Sequence, residues 1–193
     1  AHQGKQPAFA LLDEWVRPAP PLPPDEALAN LALRYFTSRG PATVQDFCWW
    51  SGLAVADARA GLGAVEGRLS VARLEGRSYY YAEATAAPGD EGERLRLLPP
   101  FDELLIAYRD RGAAIEPADM GRVVPGGNGV FNPIVVRDGR VVGTWRRALR
   151  AGRVELSFSP FRPWGEGEAR AAAAEAERYG RFLGLPAVVA SGA

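Results

Sequence analysis

Helical and extended patterns alternate along the chain in a way that predicts an α+β fold. Residues 23–82 read as a helix, a helix-turn-helix and a two-stranded hairpin, which is the order of a winged helix. Residues 132–183 read as an antiparallel meander, or barrel-like β part, with a flanking terminal helix. We therefore predict a winged-helix domain over 23–86 and a β-rich domain with its terminal helix over 87–193.

The composition argues against several functional classes. The 23 basic and 23 acidic residues balance, so any nucleic-acid surface must arise from local clustering of arginine. A single cysteine (Cys48) and a single histidine (His2) argue against disulfides, zinc sites and a Ser-His-Asp triad. We expect no metal and no cofactor. The sequence shows neither a long apolar run nor a signal peptide, which predicts a cytoplasmic protein without a membrane partner.

Residues 1–22 are interpreted as the tail of a preceding domain plus a Pro-rich linker. Ala8–Val16 has the composition of a strand, and the proline run that follows predicts an extended linker. The only methionine is Met120, so we expect the chain to be a fragment or a processed product.

The first predicted helix begins at Asp25, a favourable N-cap, and ends at Gly40 and Pro41. Its apolar residues recur with helical spacing and form one face. They are Leu28, Leu31, Ala32, Tyr35 and Phe36.

Two shorter helices are predicted to complete the helix-turn-helix. Thr43 and Asp46 resemble a capping box at the start of Val44–Trp50. The following helix, Val55–Ala64, lies at the recognition position, but Arg59 is its only positive charge. Because a major-groove reader usually presents several polar or basic side chains, packing is the stronger interpretation and base reading the alternative.

The dipeptide Glu75-Gly76 lies between two strand-forming runs and predicts the hairpin wing. Arg68, Arg73 and Arg77 lie on or near it, where they could contact phosphates or a minor groove. The equal alternative is that these are solvated arginines on an exposed hairpin.

The second half is predicted from turn and helix signals. Asp138-Gly139 between apolar runs is a strong hairpin signature. In chain order, the predicted elements are the strand Leu95–Leu98, the helix Phe101–Arg111, strands on both sides of Asp138-Gly139, the strand Val154–Phe158 and the helix Glu166–Leu183. Ala169, Ala172, Ala173, Ala176 and Tyr179 are expected to form the buried stripe of that helix.

The densest positive charge of the chain lies in residues 137–153. This window holds six arginines and one acid, Asp138, with a tryptophan interleaved. A basic hairpin with an aromatic residue suits a nucleic-acid backbone with stacking of bases. The predicted contacts are Arg140, Trp145, Arg146 and Arg147. The alternative is a solvated strand face whose arginines pair with acids on the helix at 166–183.

Candidate catalytic groups are weak. Asp102 and Glu103 would point in different directions on a helix, which does not give a facing acid–base pair. The glycine-rich run at 126–129 lacks the Lys-Ser/Thr of a P-loop.

Three segments together resemble the bacterial winged-helix DNA-binding family that includes the interstrand-crosslink DNA glycosylases of the azinomycin-resistance type. They are RYFTSRGPATVQDFCWWSGL (34–53), LLPPFDELLIAYRDR (97–111) and NPIVVRDGRVVGTWRR (132–147). The resemblance implies tandem winged-helix units followed by a small β-rich part, DNA binding and, in some members, base excision without a metal.

The family's catalytic element is a Gln-x-Gln or Gln-x-Asp motif in its first winged helix. Gln3 and Gln6 do not match its spacing, and Gln45-Asp46 lacks the intervening residue. No catalytic residue is therefore carried over. The chain looks like the C-terminal half of such a protein, with N-terminal winged-helix domains as its missing partner.

These observations lead to an expected function. We expect a DNA-binding C-terminal portion of a winged-helix repair glycosylase-like protein, with contacts to duplex DNA from arginines of the recognition helix, the wing and the second hairpin. The alternative is a structural or protein-interaction module without DNA affinity of its own. The zero net charge and the nearly neutral recognition helix favour that alternative.

Overall fold

The computed structural model describes residues 2–3, 6–18, 20–83 and 95–190, and shows a mixed α+β arrangement of helices and antiparallel sheets. The helices are α1 (Leu12–Trp15), α2 (Pro24–Arg39), α3 (Val44–Ser51), α4 (Val55–Gly63), α5 (Glu103–Ile106), α6 (Met120–Val123) and α7 (Glu166–Leu183). The strands are β1 (His2–Gln3), β2 (Gln6–Pro7), β3 (Ser70–Leu74), β4 (Arg77–Tyr81), β5 (Leu95–Leu98), β6 (Ile134–Arg137), β7 (Arg140–Arg150), β8 (Arg153–Pro160) and β9 (Ala187–Val189). The predicted boundary at residues 86–87 lies outside the described residues.

Helices α2 and α3 have clear start signals. Pro24 occupies the first turn of α2, where a missing N–H costs nothing, and Asp25 follows within that turn, so the helix begins before the predicted cap. The predicted capping box of α3 is confirmed. The Asp46 N–H donates to Thr43 Oγ1 at 3.2 Å, and the Thr43 N–H donates to Asp46 Oδ2 at 2.9 Å. Gly52, with φ of 73°, ends α3.

The helices α2, α3 and α4 share one apolar core. Its buried members include Tyr35, Phe36, Phe47 and Leu62. Trp50 packs partly against this core, while its neighbour Trp49 is 53% exposed. One tryptophan of the pair therefore contributes to the core.

The hairpin of β3 and β4 is attached closely to the end of α2. Ala42 and Tyr80 exchange backbone hydrogen bonds of 3.1 and 2.9 Å. A Cβ atom at Gly40 would lie 2.4 Å from the Phe36 carbonyl oxygen and 2.7 Å from that of Tyr80. Only glycine fits where the two backbones approach this closely. The predicted Glu75-Gly76 turn is present, and both residues have positive φ, as a two-residue hairpin turn of this hand requires.

The second part is a five-stranded sheet in the order β5-β6-β7-β8-β9, antiparallel except for the parallel pair β8–β9. Helix α7 packs on one face of it and has the bounds predicted from the sequence. Ala172 and Ala176 are buried as expected. Ala169 and Ala173 are exposed, so the predicted stripe is narrower than the sequence suggested.

Two predicted elements differ from the structure. The segment Ala8–Val16 is not a strand; it holds the short helix α1, whose first turn carries Asp13 and Glu14, acids that suit a helix N-terminus. The helix predicted over Phe101–Arg111 is reduced to α5. Residues beyond α5 leave the helical path because their backbone N–H groups donate to another part of the molecule, as shown below.

No helix in the described part of the chain is long and apolar enough to span a membrane.

Candidate nucleic-acid interface

The described residues form a cleft of about 1170 Å³. It lies between α3, α4 and the start of β4 on one side and residues 109–120 on the other. Its arginines are Arg59, Arg77, Arg109 and Arg111, and its acids are Asp46, Glu66 and Asp110. The cleft therefore brings together basic residues that are far apart in the sequence.

Arg59 and Arg109 are the unengaged positive charges of this cleft. Both are exposed, and neither guanidinium forms an ion pair or hydrogen bond within the described part of the chain. Charged groups that are not committed to an internal partner can approach a phosphate without first breaking a contact. Arg59 was predicted from the sequence, whereas Arg109 was not, because only the fold brings it beside α4.

Arg77 is held by an ion pair across the cleft. Its guanidinium donates to Asp110 Oδ2 at 2.7 Å, and both side chains are more than half exposed. The hydrogen bond to Asp110 raises the pKa of Arg77. Two hydrogen bonds lower the pKa of the Asp110 carboxyl. The one from the Gly112 N–H has the larger effect, and the one from Arg77 has the smaller effect. The pair connects the turn of the first hairpin to the opposite wall of the cleft.

Arg73 lies on β3 of the same hairpin and is not among the residues that line the cleft. It stands directly opposite Ser78 in the β3–β4 register, and Ser78 lines the cleft. Opposite residues of an antiparallel pair emerge on the same face, so Arg73 and Ser78 share one face of the hairpin. Its guanidinium is exposed and has no ion pair among the described residues. The same holds for Arg68, just before β3.

Asp46, which lies on α3, holds in place the wall of the cleft that residues 109–120 form. It is 5% exposed, and besides capping α3 its Oδ1 accepts the Arg109 N–H at 2.9 Å. These bonds replace the helical hydrogen bonds that a continued α5 would have made. The predicted helix through Arg111 is therefore interrupted, and the Arg109 side chain is presented to the cleft.

Further hydrogen bonds join this wall to the first three helices. Tyr35 Oη donates to the Ala107 carbonyl at 3.0 Å, and Tyr108 Oη donates to the Arg39 carbonyl at 2.8 Å. Burial raises the pKa of both phenols, so they stay protonated as donors at neutral pH. The segment 107–109 is thus tied to the first three helices by one buried and one partly buried hydrogen bond.

The arginines of residues 137–153 are mostly paired. Ion pairs join Arg137 to Glu168 and Arg140 to Glu116, and Glu155 accepts from two more arginines. Those two are Arg150 and Arg153. The alternative of a strand face paired with acids on α7 is realised at Arg137, because Glu168 lies in the first turn of α7.

Trp145 belongs to the core. It is 6% exposed, its Nε1 donates to the Leu98 carbonyl at 2.9 Å, and its ring meets Tyr179 edge-on at 5.3 Å. No open face of the indole is left for a base, which corrects the predicted stacking role. The cause is the alternation of β7, which turns Trp145 toward α7.

The remaining predicted residues of this strand are exposed. Arg147 donates to Tyr179 Oη and lies over that ring at 5.7 Å. Arg146 makes no ion pair or hydrogen bond within the described residues. The structure thus brings Arg59 and Arg77 to one cleft, with Arg73 on the same hairpin as Arg77, while Arg146 and Arg147 lie on the C-terminal sheet.

Comparison with known proteins agrees with this architecture. The profile of a family described as DNA glycosylase AlkZ-like matches residues 1–182. An interstrand DNA cross-link repair glycosylase of Streptomyces sahachiroi is 30% identical over 145 residues, which are 72% of this chain and 38% of that protein. The solved structure of Streptomyces sahachiroi DNA glycosylase AlkZ superposes with a TM-score of 0.68 at 27% identity, over 88% of this chain and 47% of that one.

The chain spans less than half the length of these relatives. The match to the family profile nevertheless covers nearly all of it. The chain belongs to the AlkZ-like DNA glycosylase family.

Proposed function

We propose that this chain is a DNA-binding portion of an AlkZ-like glycosylase, in which α2, α3, α4 and the hairpin β3–β4 act as a winged helix. The backbone of duplex DNA contacts Arg59 on α4 and Arg73 and Arg77 on the wing. Arg109 adds a contact from the opposite wall of the cleft. The observation that carries this proposal is the set of unengaged guanidinium groups beside one cleft in a member of a DNA glycosylase family.

The neutral net charge is compatible with this function because the charges are sorted in space. Acids pair with four of the six arginines in residues 137–153, whereas Arg59, Arg73 and Arg109 have no ion pair within the described residues. A phosphate contact from each would release counterions, so the binding constant should fall steeply with salt. With about three such contacts, we expect a slope of about −3 in a plot of log K against log salt concentration.

The test is a fluorescence anisotropy titration of a labelled duplex at several salt concentrations. The double variant Arg59→Glu with Arg73→Glu should lower affinity at low salt at least tenfold, because each reversal replaces attraction by repulsion. The matched control is Arg162→Glu with Arg181→Glu, two exposed arginines that also lack an ion pair in the described residues. Equal losses in both double variants would contradict the proposed surface.

No base excision is expected from this chain, because no residue of it matches the family's catalytic motif. Release of a modified base from alkylated or crosslinked DNA by the chain itself would overturn that expectation.

A second function is favoured by one observation. Apolar side chains around α1 face solvent. Phe9 is fully exposed, Leu12 is 71% exposed and Trp15 is 69% exposed. Such a patch is typical of a surface that packs on another protein part. In this account the chain is a structural module that binds the remaining part of a longer AlkZ-like protein. Stable association with that part, without any affinity for DNA at low salt, would select it.

A further inference from the structure

A row of aromatic rings and one arginine lies beside the cleft. The Arg111 guanidinium is 5.5 Å from the centroid of the Trp49 ring and 5.5 Å from that of Phe131. Phe101 continues the row, with its ring 5.7 Å from Phe131. Trp49 is 53% exposed and Phe101 is 51% exposed, so both ends of the row present open ring surface.

Phe101 adopts a backbone conformation that is unusual for its type. Its φ is 59°, in the left-handed region that a bulky aromatic residue rarely occupies. The ring gains little burial in return, since half of it faces solvent. Strain that is kept without a packing benefit is often found at functional positions.

We propose that Phe101, Phe131, Arg111 and Trp49 form a stacking platform for unpaired nucleobases of the DNA strand that the cleft binds. The inference rests on the proposed DNA-binding function and extends it to bases that have left the duplex stack. Every base has a flat π face, so an aromatic platform recognises unpaired bases with little dependence on sequence.

The charges around the row favour nucleic acid over an apolar protein segment. Arg111 lies within the row and also lines the cleft, next to the unengaged Arg109. Burial lowers the pKa of Arg111, but a guanidinium remains protonated at neutral pH. A strand whose phosphates pair with the cleft arginines would place its bases at the adjoining rings. An apolar peptide would instead leave these cations unpaired.

The arginine is also fixed in position. Its Nε donates to the Leu105 carbonyl at 2.6 Å, and the Trp49 Nε1 donates to the Ile106 carbonyl at 3.1 Å. Both anchors are backbone groups of α5. The platform therefore has a defined geometry before any ligand arrives, which reduces the entropy lost on binding.

The experiment compares two labelled probes with the 193-residue chain. One is a fully paired duplex, and the other is the same duplex with a run of unpaired thymines. The chain should bind the second probe more tightly, and Phe101→Gly should lower that affinity about tenfold without changing affinity for the paired duplex. Glycine accepts a positive φ without strain, so this variant keeps the fold.

Trp49→Ala should remove the same preference, and Phe182→Ala is the matched control, an 82% exposed ring on α7 that should change nothing. Quenching of tryptophan fluorescence by the unpaired probe should be lost in Trp49→Phe.

The outcomes separate this inference from the proposed function. Binding of both probes with equal affinity, or a preference that survives in Phe101→Gly and Trp49→Ala, overturns the platform and leaves duplex binding intact. Absence of binding to either probe overturns both. Selective binding of the unpaired probe that depends on the rings but not on Arg59 and Arg73 supports the platform and contradicts the proposed arginine contacts. If the same variants instead lower only association with protein, the row is a protein contact and the inference fails.

Discussion

The first hairpin, β3–β4, and the second, β6–β7, both carry arginines, but they differ in how these arginines are paired with acids. On the first, Arg73 is exposed without an ion pair in the described residues, and Arg77 has only an exposed pair with Asp110. On the second, Arg137 and Arg140 are paired with acids from α7 and from the loop before α6. Four of the six arginines in residues 137–153 are paired with acids, whereas Arg146 and Arg147 have no ion pair among the described residues. Accessible charge depends on where the fold places carboxylates, not on the density of basic residues.

The largest expected effect concerns Trp145 of the second hairpin, which the structure places in the core and not on a DNA-binding surface. Trp145→Ala should lower the free energy of unfolding by about 4 kcal/mol, because it leaves a large cavity under α7 and an unpaired Leu98 carbonyl. Urea denaturation measures the change. Trp15→Ala is the control, since that ring is 69% exposed and its loss should have little effect. A stable Trp145→Ala variant with lost DNA affinity would restore the stacking role.

The contrast also requires that the cleft wall has a fixed position. Asp46→Ala should destabilise the protein by about 3 kcal/mol, because the N–H groups of Thr43 and Arg109 lose a buried, charged acceptor. Thermal denaturation followed by circular dichroism measures it. Asp57→Ala, at an exposed site in the first turn of α4, should cost about 0.5 kcal/mol. Similar losses at the two sites would show that Asp46 does not hold the wall.

Charge reversal on the second region should have a modest effect. Arg146→Glu with Arg147→Glu should reduce duplex affinity about threefold, because only long-range attraction is lost. Anisotropy at low salt measures it, next to the reversal of Arg59 and Arg73. A tenfold or larger fall in duplex affinity would show that the second hairpin contacts DNA, and would contradict the proposed difference between the two hairpins.

The smallest expected effect is a gain. Asp110→Asn should raise duplex affinity about twofold, because it frees Arg77 and removes a negative charge from the cleft. The same titration measures it, with Glu177→Gln on the exposed face of α7 as control. A loss of affinity would mean that the ion pair positions Arg77 for DNA instead of competing with it.

Local signals in the sequence predicted most of the fold. The turns Glu75-Gly76 and Asp138-Gly139 and the full extent of α7 depend on neighbours in the chain, and the structure has them where predicted. The helix beyond Ile106 could not be predicted correctly, because the acceptor that interrupts it is Asp46, more than 60 residues away. Its pattern is helical, but the tertiary hydrogen bond decides the outcome.

The candidate site was predictable only in part. Arg59, Arg73 and Arg77 were singled out from their elements, and the structure places Arg59 and Arg77 at one cleft and Arg73 on the hairpin that carries Arg77. Arg109 was missed because its neighbours in sequence suggested a helix surface. The row of Trp49, Arg111 and Phe131 was missed as well, because its members come from three separate segments.

The close approach of backbones at Gly40 has a consequence for how DNA would be met. Because no side chain fits between the end of α2 and β4, the hairpin cannot swing relative to the helices without breaking its contacts. The distance between the arginines of the hairpin and Arg59 is therefore fixed before any ligand binds. In the proposed DNA complex, such a surface would favour one phosphate spacing instead of adapting to several, and distorted DNA would be distinguished from regular DNA by its geometry.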